Sequence, residues 1–275
     1  MTMQLHLQQV PARNGRLWIR HGFKVFQRQP WAFSMGILTL SLCSKLLILV
    51  LPGLGTALLL AVMPLVSLGF MLATHLTLQR KRPDVATFLS PLRLTPERSR
   101  RQLLLCLLYL VGISAVMGLA YWIDGGSSER LQELMAAGKD KDAIDAAATD
   151  PRLVWSGLTF GLGMLALSVP FWHAPALVHW GGQGVAQALF SSTLALWRNK
   201  TAFLLNGLLW GALIAGWFAA MLLLAGMLGL ALDPALALQI TGLMLSPVYY
   251  ASLYFTFVDC FMFGAPSDVL SRTDA

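Results

Sequence analysis

Six long apolar stretches punctuate a polar and basic chain. They cover residues 31–51, 54–78, 103–123, 153–174, 201–231 and 235–263. About 20 mostly apolar residues suffice to cross the ~30 Å hydrocarbon layer of a bilayer. Each stretch therefore predicts one transmembrane helix. Leu51-Pro52-Gly53-Leu54-Gly55 is the turn between the first two, and Asp233-Pro234 separates the last two. The fifth stretch exceeds the minimum and predicts a helix that tilts or runs past the lipid. The pattern gives an all-α, polytopic membrane bundle, one transmembrane domain over residues 1–275, built from three hairpins at 31–78, 103–174 and 201–263.

The segments between the spans carry helical signals of their own. Residues 13–29 place Leu17, Ile19, Phe23, Val25 and Phe26 among basic residues, which predicts an amphipathic helix lying at the membrane interface before the first span. Residues 183–198 repeat that spacing before the fifth span. The basic loop 79–102 contains a third amphipathic piece, 85–94. Each hairpin thus has a lead-in helix on the same side. Arg28-Gln29-Pro30-Trp31-Ala32-Phe33 can be laid over Arg198-Asn199-Lys200-Thr201-Ala202-Phe203, and Pro64, His75 and Pro83-Asp84-Val85 over Pro247, Asp259, Pro266, Asp268 and Val269. These hairpins would be parallel repeats. In the loop 124–152, Ser128 is placed to cap a helix over 129–137 that Gly138 ends, and 140–148 reads as a second short helix. Thr95-Pro96 and Asp150-Pro151 each pair a capping residue with an N1 proline.

Charge adds direction. Fifteen Lys and Arg residues fall on the side of the lead-in segments and four in loop 124–152, with Lys45 inside a span. Basic residues are retained on the cytoplasmic side, so both termini are expected in the cytoplasm. The formal net charge of +7 sits beside apolar spans, where it points to anionic lipid and not to nucleic acid. Composition agrees with the pattern. The chain is 56% hydrophobic and 12% charged, whereas soluble domains hold about 25% charged residues. Cys43, Cys106 and Cys260 all lie in apolar stretches and read as small hydrophobes. Trp18, Trp31, Trp122, Trp155, Trp180 and Trp197 read as belt anchors.

Pro11-Ala12-Arg13-Asn14-Gly15 and Gly22-Phe23-x-x-Phe26 within residues 4–28, Pro64-Leu65-x-x-x-Gly69-Phe70-Met71-Leu72-Ala73, and Ala174-Pro175-Ala176-Leu177 through Arg198-Asn199 resemble a proteobacterial family of inner-membrane proteins of unknown function. The resemblance covers most of the chain outside the acidic loop. It implies a bacterial inner membrane and carries over no catalytic residue.

Ionisable groups inside spans mark function by default. Here they are Lys45, His75, His173 and Asp259. Lys45 reads either as a contact for a substrate or headgroup or as a side chain snorkelling to the outer interface. His75, His173 and Asp259 fall near the inner ends of spans two, four and six, where a proton relay or interfacial hydrogen bonding are the alternatives. Arg16, Arg20, Lys24, Arg28, Arg98, Arg100 and Arg101 are candidates for lipid headgroups. Gly157 and Gly161, and Gly207, Gly211 and Ala215, predict close helix packing within the bundle or a homodimer. No motif calls for a cofactor or a metal. The expected function is a non-enzymatic scaffold or assembly factor contacting anionic lipid or a membrane partner. The alternative is a small-solute or lipid transporter using Lys45, Asp259 and the histidines.

Overall fold

The computed structural model describes residues 6–92, 95–138 and 141–261. Arg93, Leu94, Lys139, Asp140 and the tail with Pro266, Asp268 and Val269 lie outside them. Among the described residues the chain forms twelve α-helices and one 3-10 turn, and no strand. Six helices are long and apolar enough to cross a membrane. They are α2 (Pro30–Val50), α3 (Pro52–Leu78), α5 (Pro96–Asp124), α8 (Pro151–Phe171), α11 (Lys200–Met227) and α12 (Pro234–Phe261). The fourth span continues past a break at Trp172–His173 into α9 (Ala174–Gly181). The shorter helices are α1 (Asn14–Arg28), α4 (Val85–Leu89), α6 (Ser127–Ala136), α7 (Lys141–Ala148) and α10 (Val185–Arg198).

Prolines punctuate the helix starts. Pro30, Pro52, Pro96 and Pro151 stand at the first helical position, where the missing N–H costs nothing. Asp150 accepts the Arg152 N–H at 2.9 Å and so caps α8. The Thr95 side chain makes no cap bond. Ser128 is not a cap either. It lies inside α6, and its N–H and hydroxyl both donate to Asp124. Gly125 and Gly126 both have positive φ, which turns the chain tightly enough for that carboxylate to reach the first turn of α6.

Burial is concentrated at one end of the bundle. Nearly every residue of α12 from Pro247 to Phe261 is buried, but only Ala237 and Thr241 before it. In α3 the buried residues run mostly from Pro64 to Leu78. α8 has none. The packed end collects α1, α4, α9 and α10, and we call it the basic end. At the other end the spans part and present Leu49, Val50, Leu119, Leu223 and Met227 outward, as lipid-facing residues do. Exposed Trp31 and Trp197 mark one level, and exposed Trp122 and Trp155 the other. Helices α3, α5, α11 and α12 have 27–29 residues. At ~1.5 Å per residue they exceed the ~30 Å hydrocarbon layer by roughly 10 Å.

Two expectations change here. α1 buries its apolar face in the protein, packing along α11 and α12. A Cβ on Gly15 would fall 2.3 Å from the Ala202 carbonyl oxygen, and one on Gly22 would fall 2.8 Å from that of Val248. Only glycine allows this approach. Trp18, between them, is fully buried and is no belt anchor. The second change concerns the small-residue stripes. A Cβ on Gly157, Gly161, Gly207 or Gly211 would meet nothing within 4 Å, and Ala215 is exposed. The close contact of α5 with α8 uses Gly112 and Gly163, whose Cβ atoms would fall 2.6 Å from Leu167 and Val116. The packed face of α11 carries Ala202, Asn206 and Trp210. Gly207 and Gly211 are one residue on from that row, about 100° around the helix, and face away.

Candidate functional site

The polar groups of the basic end form a knot around the end of α12. Asp259 Oδ2 accepts from Asn14 Nδ2 at 2.8 Å and from Trp18 Nε1 at 2.7 Å. Asn199, at the α10–α11 junction, is fully buried. Its Oδ1 accepts the Val10 N–H at 2.8 Å, and its Nδ2 donates to the carbonyls of Gln8 and Ala195 at 3.0 Å. The Gln8 N–H donates to the Cys260 carbonyl at 2.8 Å. Asn206 Nδ2 donates to the Gly15 carbonyl at 3.0 Å. Asn14, Asn199 and Asn206 thus fasten the amino-terminal segment to the last two spans. Of this group the sequence marks Asp259 as a polar candidate and Trp18 only as a belt anchor. The signal for the rest was weak: asparagines beside apolar runs, at a spacing that reveals nothing until α1 is seated.

His21 lies beside the knot, its ring 5.0 Å from that of Phe255. Burial holds its pKa below the ordinary 6.5. Asp259 opposes that effect, and Lys24 and Arg20 reinforce it.

His173 sits in the break between α8 and α9, fully buried. Its N–H donates to Ser192 Oγ at 3.0 Å, and its Nε2 lies 3.1 Å from Thr256 Oγ1. The Thr256 hydroxyl donates to the Leu253 carbonyl and also receives the Trp172 N–H at 3.2 Å. That arrangement assigns the proton of His173 to Nε2. His75 is half-buried, 2.8 Å from the Tyr254 hydroxyl and 2.9 Å from Gln79 Nε2. The structure therefore places His75, His173 and Asp259 around α12, each on its own partners. Among the described residues no three His, Cys, Asp or Glu side chains gather as a metal site would require. Lys45 is exposed on the half of α2 away from the basic end, and Asp259 is at the opposite end of the bundle.

Of the basic candidates, Arg16, Arg20, Arg28 and Arg100 are exposed, and Lys24 and Arg98 are half-buried. Arg101 is committed to structure. Its guanidinium donates to the Gly182 and Gln183 carbonyls after α9, at 2.6 and 3.3 Å, and pairs with Glu97. The neighbouring Gln102 donates to the Pro175 carbonyl at 2.8 Å.

A cleft of about 890 Å³ opens between α2, α3 and α4. α4 leads into α5 along the chain but packs on α3. A capping box starts it, with Asp84 Oδ1 accepting the Thr87 N–H at 2.8 Å. No sequence pattern announced this space, because it depends on α4 folding back over the preceding hairpin.

The chain is 31% identical over 258 residues to a probable inner membrane protein of Burkholderia thailandensis, covering 94% of each sequence. No protein-family model matches the chain, and no solved structure matches it.

Proposed function

The chain belongs to the family of that Burkholderia inner membrane protein and is a multi-pass protein of the inner membrane, and from this premise we propose that it is a non-enzymatic scaffold or assembly factor. In this reading both termini face the cytoplasm, and the basic end contacts anionic lipid or a membrane partner. One observation carries the reading. The buried polar side chains of the basic end are spent on joining elements far apart in sequence: Asp259 to α1, Asn199 to residues 8 and 10, Asn206 to Gly15, and Gln102 to α9. A transporter needs polar groups that face a pathway and change partners. A scaffold needs a fixed surface, and here the fixed end presents Arg16 and Arg20 outward.

The test is thermal unfolding of the full chain in nanodiscs of phosphatidylglycerol and of phosphatidylcholine. Each Lys or Arg near an anionic surface contributes about 1 kcal/mol. Melting is expected to be several degrees higher in phosphatidylglycerol, with the gain shrinking as salt rises. Equal melting in both lipids would remove the lipid contact from this reading.

A further inference from the structure

The cleft between α2, α3 and α4 is shaped like one leaflet of a bilayer. It runs along α2 from Trp31 to Cys43, thirteen residues whose twelve rises of ~1.5 Å span ~18 Å. Half of a bilayer's hydrocarbon is about 15 Å. Its walls are apolar, with Met35 and Leu40 on α2, Val62 and Val66 on α3, and Phe88 on α4. Charge lies at one end only, where Arg28 and Arg82 line the mouth at the level of Trp31, which is 80% exposed. Arg82 is exposed. Asp84 also lines the mouth, where its Oδ1 caps α4 by accepting the N–H and hydroxyl of Thr87; with two guanidinium groups against one carboxylate the mouth keeps a net positive charge.

The roof is held in place. The Phe88 ring packs on Phe70 at 4.9 Å. Glycines make room beneath it: a Cβ on Gly36 would fall 3.1 Å from Phe88 Cζ, and one on Gly69 would fall 3.0 Å from its carbonyl oxygen. An apolar slot one leaflet long, open among membrane spans and cationic at its interfacial end, matches an amphiphile with a negative headgroup.

We propose that this cleft holds an acyl chain of one anionic phospholipid, with the phosphate between Arg28 and Arg82. The proposal rests on the lipid-contact reading above and gives it a single, stoichiometric site. The experiment is native mass spectrometry of the full chain in detergent, titrated with phosphatidylglycerol or phosphatidylcholine. One phosphatidylglycerol per chain is expected to survive activation that strips phosphatidylcholine. Arg82→Ala, an exposed change, is expected to weaken that retention about tenfold, the scale of one lost charge-assisted contact. Thr39→Trp fills the slot from α2 and is expected to abolish retention. Lys141→Ala, an exposed change in α7 at the opposite end of the bundle, is expected to leave it unchanged. Equal retention of the two lipids, or unchanged phosphatidylglycerol retention in Arg82→Ala, would overturn the site. If the nanodisc melting gain persists in Thr39→Trp while retention never depended on the slot, the broad lipid contact stands and the cleft assignment fails.

Discussion

Asp259 holds a fully buried indole N–H, and that fixes what its loss should cost. Asp259→Ala leaves the buried Trp18 N–H without that acceptor. The expected loss is about 1–3 kcal/mol, read by thermal unfolding in detergent. Asp259→Asn keeps a carbonyl oxygen and should lose less. Identical melting of both variants and the parent chain would show that the knot is not a fastener. His21 beside it gives a pH dependence. Its folded pKa is below 6.5, so between the two values the unfolded chain binds a proton that the folded chain refuses. Stability from the neutral ring is complete above about pH 6.5 and drains as pH falls through the folded value. His21→Gln should therefore flatten the decline in melting temperature between neutral and mildly acidic pH. A decline as steep as that of the parent chain would assign the effect to other groups.

Among the elements, α1 shows most clearly what a sequence does and does not disclose. The six spans were legible because lipid demands twenty apolar residues whatever the helix touches. The amphipathic pattern of α1 was legible for the same reason: its periodicity is local. Its seat was not, since an apolar face can be buried in lipid or in protein. The distinguishing signal was present in Gly15 and Gly22, seven residues apart on the face of Trp18, Ile19 and Val25. The stripes at Gly157, Gly161, Gly207 and Gly211 do not pack within the bundle: spacing shows that a face is flat but not which way it turns. Gly22→Ala should test the seat. Its Cβ would fall 2.8 Å from a backbone oxygen and 2.9 Å from Ser252 Cβ, so α1 must move. A destabilisation of about 1–3 kcal/mol and faster amide hydrogen exchange across α1 are expected. Gly157→Ala, with open space around its Cβ, should change neither. Equal effects at the two positions would refute the packing described.

The whole molecule is asymmetric, packed at its basic end and parted at the other. The count of Lys and Arg predicts a cytoplasmic basic end, and α6 and α7 lie at the opposite end of the bundle. In a chain with Cys43, Cys106 and Cys260 replaced, Lys141→Cys should react with a membrane-impermeant maleimide applied to intact spheroplasts. Arg20→Cys should react only after permeabilisation. The reverse pattern would invert the topology. The polar knot has a further consequence, in time. Asn14 and Asp259 are 245 residues apart. Translation adds about 5–20 residues per second, so α1 leaves the ribosome on the order of ten to fifty seconds before its seat exists. Through that interval its apolar face has no final partner and is available to chaperones or proteases. Nascent chains arrested before Asp259 should therefore be cleaved within α1 far faster than the finished protein.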